Sequence, residues 1–156
     1  MKQTQAYAAI QAKMAPGVIT RDGFLGQDRR NLVDILIQDD GQARRLGYAH
    51  QDIARRMVEL RDAGIAGLGE FLDVAPHFEV RVDSVRGKLP CPFGDPGIFQ
   101  KTNTTVRNKR LGREVTFTDL HIHLIGAHGF YEGLGSAFRL DPEALIAILE
   151  VQKAVE

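Results

Sequence analysis

The stretch Asp119-Leu120-His121-Ile122-His123-Leu124-Ile125-Gly126-Ala127-His128-Gly129-Phe130-Tyr131-Glu132 gathers the side chains best suited to chemistry, because three of the chain's five histidines lie between positions 121 and 128. Read as a strand, it puts Leu120, Ile122 and Leu124 on one face and Asp119, His121 and His123 on the other. Histidines two positions apart on extended backbone are separated by about 6.5–7 Å, and both rings can turn toward one ion at about 2.0–2.1 Å. His128 and Glu132 follow in the loop beyond, where a third or fourth ligand is delivered. The expected site is a divalent metal ion, zinc first, held by neutral His121, His123 and His128. Asp119 and Glu132 either ligate it, take the outer N–H of a histidine, or act as the catalytic carboxylates. An ion with an open position activates water for hydrolysis or polarises a carbonyl. Two other uses of the same residues stay open: histidines hydrogen-bonded structurally between sheet and helices, and metal-free acid–base or ligand contact.

Cys91 is the second candidate. Pro90 and Pro92 flank it and present the thiol rigidly, either as a nucleophile paired with a histidine, as a soft fourth zinc ligand, or as a buried inert side chain. Lys101, Thr102, Asn103, Thr104 and Thr105 offer donors for an anion, but no Walker or dinucleotide glycine pattern accompanies them. The run from Gly126 to Ser136 holds four glycines, at 126, 129, 133 and 135, with Phe130 and Tyr131 among them. It reads either as a pocket wall or as a compact loop folded over the sheet edge.

These groups need elements to carry them. Tyr7, Ile10 and Met14 recur at helical spacing within Lys2–Met14, and Pro16-Gly17 stops that helix. Asp28 is the expected cap of a second helix carrying Leu32, Val33, Leu36 and Ile37, which ends near Asp39-Asp40-Gly41. A third runs from about Gln51 to Ala63 with Ile53, Met57 and Leu60 on one side, and Gly64 is placed for a left-handed C-terminal cap. From Phe78 the period becomes two: Phe78, Val80 and Val82 alternate with Glu79, Arg81 and Asp83. Pro90–Gly97 must be a loop, Thr102–Asn108 a second strand, Lys109–Gly112 a turn, and Arg113–Ile125 a long third strand. Asp141-Pro142-Glu143 then starts a final helix with Leu145, Ile148 and Leu149 on one face. The expected fold class is α+β, one domain over residues 1–156. It is mainly helical over 1–75, antiparallel strands over 78–126 and a C-terminal helix over 141–155, with the helices packed on the small sheet.

Composition bounds the function. Hydrophobic residues make up 44% and charged residues 26%, values of a soluble globular chain rather than a disordered one. No apolar run approaches the roughly 20 residues of a membrane span. One cysteine, and no pattern of a secretory leader, make the cytoplasm the expected compartment. Lys+Arg and Asp+Glu number 20 each, so no overall field draws the molecule to nucleic acid. Residues 28–62 carry seven arginines against seven acids, which makes nucleic acid an unlikely partner. Residues 81–113 are locally basic, with eight positive and two negative groups, and residues 114–156 are acidic, with two and seven. The two blocks can pair within one monomer or across a homo-oligomer. Two readings follow: a metal-dependent enzyme, a hydrolase acting on an unidentified small molecule, or a non-catalytic protein that binds a small ligand or assembles with itself.

Overall fold

The computed structural model describes residues 2–153. Three helices come first, α1 (Gln5–Lys13), α2 (Leu32–Arg45) and α3 (His50–Gly64), followed by a short 3-10 turn at Ile65–Gly67. Four strands follow, β1 (Leu72–Val74), β2 (Phe78–Pro90), β3 (Ile98–Asn108) and β4 (Arg113–Thr118), then α4 (Asp119–His128) and α5 (Pro142–Leu149). The strands form one antiparallel sheet in the order β1-β2-β3-β4. The fold class is therefore α+β, with helices contributed from both the N-terminal and C-terminal sides of the sheet. None of the described helices is long and apolar enough to cross a membrane.

The alternation from Phe78 produces the half-buried strand that it predicts. Phe78 and Val80 are fully inside, and Val80 pairs with Val106, which pairs with Val115. β3 begins at Ile98 rather than Thr102, and β2 continues through 85–89 to Pro90, a residue expected in the loop, with the register shifting between Val85 and Lys88. That long hairpin carries the segment 91–97 at its tip.

The main correction concerns residues 119–128. The third strand ends at Thr118, and the histidine-rich segment is a helix, so the strands do not extend to 126. Leu120 and Leu124, read as alternate strand positions, are equally one helical turn apart, and local capping decides between the two periods. The Thr118 hydroxyl accepts from the His121 N–H, and the His121 ring accepts from the Thr118 N–H, a reciprocal cap with histidine in the place usually held by Glu or Gln. At the other end Gly129 is left-handed at φ 61°. Its N–H donates to Ile125, and the next N–H donates back to Leu124, which closes the last turn.

Smaller differences have equally local causes. Asp28 does not cap α2: it holds Arg30 and the Leu134 N–H. The first amides of α2 are met instead by Gln11 of α1, which accepts the Leu32 N–H, and by Gln3 just before α1, which accepts the Val33 N–H, and this satisfies donors that the helix itself cannot. Gly64 is right-handed, so it is no left-handed cap. A Cβ there would stand 2.4 Å from Val80 Cγ1, so its value is close approach of α3 to the sheet. Asp141 caps α5 as expected, but the helix stops at Leu149 with Glu150 left-handed, and the expected continuation over 154 and 155 lies outside the described residues.

Two apolar clusters fill the interior. One packs α3 and α5 on the sheet through Ile53, Met57, Leu60, Phe78, Val106, Phe117, Leu145 and Leu149. The other joins Met14, Phe24, Leu32, Ile35, Cys91, Leu120, Leu124 and Phe130. α4 stands between them, giving Ile125 to the first and Leu120 and Leu124 to the second. A helix buried on two sides has few orientations open to its polar side chains, and this fixes where its histidines go.

Candidate metal centre

On a helix, residues two apart point about 200° from one another. His121 and His123 therefore diverge, and the expected convergence of His121, His123 and His128 does not occur. His123 and His128 meet instead with two residues of the β2–β3 loop, Cys91 and Asp95. The ligand-capable atoms of Cys91, Asp95, His123 and His128 all lie within 4.8 Å of one another.

The loop that supplies Cys91 and Asp95 is stiff for reasons visible in its composition. Three prolines and two glycines between residues 90 and 97 exclude helix and strand, and Gly94 N–H closes a turn onto the Cys91 carbonyl. Cys91 is 4% exposed and belongs to the second core cluster, so the apolar packing that buries it also aims its sulfur. Asp95 Oδ2 accepts from His123 Nε2 at 2.8 Å and from His128 Nε2 at 2.6 Å. The Cys91 sulfur lies 3.9 Å from the same oxygen and 3.8 Å from His128 Nε2. Phe93 stacks on the His128 ring at 4.0 Å, and Phe99 lies against His123 at 4.6 Å. Each imidazole is thus held by an aromatic face as well as by Asp95. The His128 ring, with a smaller part from His123, holds the Asp95 carboxyl below its ordinary value, which favours the anion that a cation needs.

The donor set fits a divalent ion of borderline softness: one thiol, two imidazoles and one carboxylate. In a tetrahedral site with bonds of about 2.0–2.3 Å, ligand atoms stand roughly 3.2–3.8 Å apart. The sulfur is close to that spacing from His128 and Asp95, and Asp95 has to draw back from the two rings by roughly half an ångström. Both imidazole nitrogens carry protons while they donate to Asp95, so ligation means giving those protons up.

The remaining candidates sit elsewhere. Asp119 faces Arg61 of α3 at 3.3 Å, where a carboxylate in the first turn of α4 also suits the helix dipole; it is not part of the group around Cys91. Nor are His121 and Glu132. Both are 4% exposed, and His121 Nε2 lies 2.6 Å from Glu132 Oε2. Nδ1 of His121 accepts the Thr118 N–H, so the ring proton is on Nε2 and the pair is a neutral imidazole donating to a carboxylate. The expected catalytic pair of Asp119 and Glu132 is therefore divided between two other contacts.

Asp95 is the residue that sequence reasoning missed. Its signal was present: an acid four positions after Cys91, inside a loop too rich in proline for regular structure. Among the positive residues of the middle block, Arg110 reaches Glu150 at 3.0 Å and Arg107 lies 3.9 Å from Glu114, both on the surface, where such pairs contribute little.

Comparison with protein-family models, curated proteins and solved structures gives no match for this chain.

Proposed function

We propose that this protein binds one divalent metal ion, zinc, through Cys91, Asp95, His123 and His128, and that the ion pins the β2–β3 loop to the end of α4. The observation that carries this reading is the approach of four ligand-capable atoms from two separate segments to within 4.8 Å. Zinc suits the mixture of thiol and imidazole, whereas magnesium and calcium prefer oxygen donors alone. Four protein donors complete a tetrahedral shell, and a complete shell is the mark of a structural ion.

A hydrolytic ion is the second reading. It requires Asp95 to give its place to water, leaving Cys91, His123 and His128 as three protein ligands, the number found in catalytic zinc sites. One feature favours it: a cleft of about 370 Å³ is lined by His128 together with His50 and Asp40. In that cleft His50 lies 3.0 Å from Asp40, and its other ring nitrogen is 2.7 Å from the buried Tyr131 hydroxyl, polar groups that can orient a substrate next to His128.

The test is metal content after zinc equilibration and gel filtration of the untagged chain. One zinc per chain is expected, lost in His123→Ala and His128→Ala and kept in His77→Ala, whose ring faces Glu150 instead. Wild-type protein that retains no zinc overturns the proposal. Esterase or phosphatase activity that appears only with zinc selects the second reading.

A further inference from the structure

Glu132 carries its carboxyl group into the interior, and no lysine or arginine among the described residues is bonded to that group. Its two carboxylate oxygens are met by His121 Nε2 at 2.6 Å and by the Ser136 hydroxyl at 2.8 Å. Both are neutral donors, since the His121 ring keeps its other nitrogen as an acceptor for the Thr118 N–H. Among the described residues no lysine or arginine forms an ion pair with this carboxylate; Arg139, the nearest in sequence, gives its guanidinium to Asp39 and to the Glu132 carbonyl. Buried carboxylates are ordinarily paired with a cation or bound to a metal, because desolvation of an unpaired charge is costly.

Its placement is also over-determined. Glu132 is left-handed at φ 70°, a conformation unfavourable for a non-glycine residue unless the surroundings impose it. They do so here: the next residue, Gly133, donates its N–H to the Phe24 carbonyl, and a Cβ on it would stand 2.3 Å from the Leu25 oxygen. The chain is held against 24–25 and the glutamate cannot move away.

Glu132 and His121 are among the residues lining a cavity of about 370 Å³, whose apolar walls include Phe24, Leu89, Leu120 and Phe138. That volume lies within the range of small-molecule sites, and an apolar cavity with a few fixed polar groups is their usual form. The geometry points to a binding site for a small amine: an ammonium head paired with Glu132 and an apolar body against these walls. It does not depend on the metal centre, to which neither His121 nor Glu132 belongs. Phe138 is 57% exposed, so a ring at the boundary of the cavity is already in water and can turn to admit a ligand.

The experiment compares phenethylamine, 2-phenylethanol and 3-phenylpropionate on the full-length chain by titration with amide chemical shifts as the readout. Expected are perturbations centred on Leu120, His121, Glu132 and Gly133, and binding of the amine about tenfold or more tighter than the alcohol, as for a charge-assisted contact. Glu132→Gln should bring amine and alcohol within about twofold of each other. If that variant does not fold, the wild-type ranking decides. Equal binding of amine and alcohol, tighter binding of the carboxylate, or no binding by any of the three overturns the proposal. Lys101, Arg21 and Asp22 also line the cavity, and Lys101→Met, Arg21→Met and Asp22→Asn should each leave the amine preference unchanged. A preference that appears only when Lys101 or Arg21 is removed would mean that the residue removed is the missing cation, and one lost in Asp22→Asn would mean that Asp22 holds the amine; either would likewise overturn it.

Discussion

His123 and His128 aim their Nε2 atoms at one oxygen of Asp95, although five positions on a helix separate them by about 140° around its axis. They meet because His128 is the last helical residue and their rings, 5.4 Å apart and edge to face, reach past the helix end to a loop that comes out to them. Asp95 thus joins the loop to the helix terminus through polar contacts, beside the packing of Phe93 on His128 and of Cys91 in the second apolar cluster.

Zinc should therefore act on that junction. At free zinc 100-fold above its dissociation constant, unfolding free energy should rise by about 2.7 kcal/mol, and Cys91→Ser or His128→Ala should abolish the gain. Chelation should speed proteolytic cleavage within residues 91–97 without exposing the sheet. Thermal scans and timed digestion followed by mass spectrometry check both parts. The apparent affinity should fall as pH is lowered, because protons compete with the ion for thiolate, imidazole and carboxylate alike.

Acid should weaken the fold through two carboxylates. Hydrogen bonds from His77, then Asn108 and Arg110, hold Glu150 at about 2 against an ordinary 4.5, and Arg30 holds Asp28 at about 2 against 3.8. Each proton then binds the unfolded chain more tightly than the folded one. The stabilisation is complete above the ordinary values and is lost as pH falls from about 4.5 toward 2. Glu150→Gln should lower the melting temperature at pH 7 and flatten its decline through this window. Parallel melting curves for variant and wild type would contradict the assignment to Glu150.

Arg139 should be among the costliest single losses. Its guanidinium makes two bonds to Asp39, at 2.6 and 2.8 Å, and one to the Glu132 carbonyl, with the Asp39 side chain 2% exposed. Arg139→Ala leaves that carboxylate buried and alone, so urea unfolding should show a loss of about 3–5 kcal/mol. Replacing both partners with apolar residues, Asp39→Leu with Arg139→Met, should recover part of it.

Gly64→Ala separates helix propensity from packing. Propensity alone predicts a gain of about 1 kcal/mol at a helical glycine. The added carbon would instead press on Val80 Cγ1 at 2.4 Å and Val82 Cγ2 at 3.0 Å, and overpacking of that kind costs about 1–3 kcal/mol. A net loss in urea unfolding is expected, reduced when Val80→Ala is added.

The contrast between the strand at Phe78 and the helix at Asp119 shows what could be read in the residues. Alternation from Phe78 to Asp83 fits only period two, and Asp141-Pro142 can only begin a helix, so those elements follow from local preference. Leu120 and Leu124 fit both periods. The reciprocal cap between Thr118 and His121 and the left-handed Gly129 settle the matter, and histidine stands there in a role that Glu or Gln usually fills. Helical rather than extended backbone sends His121 to Glu132, away from the group of Cys91, Asp95, His123 and His128.

The amino-acid order determined which segments are helix, strand or stiff loop over most of the chain, and that Cys91, His123 and His128 bear reactive groups. Tertiary structure alone decided which of them meet. Side-chain convergence between the β2–β3 loop and α4 depends on how α4 is wedged between two apolar clusters, and that packing is a sum of contacts far apart in sequence. Asp95 became a partner of both histidines through that sum: its place after Cys91 in the stiff loop is local, but its meeting with α4 is not.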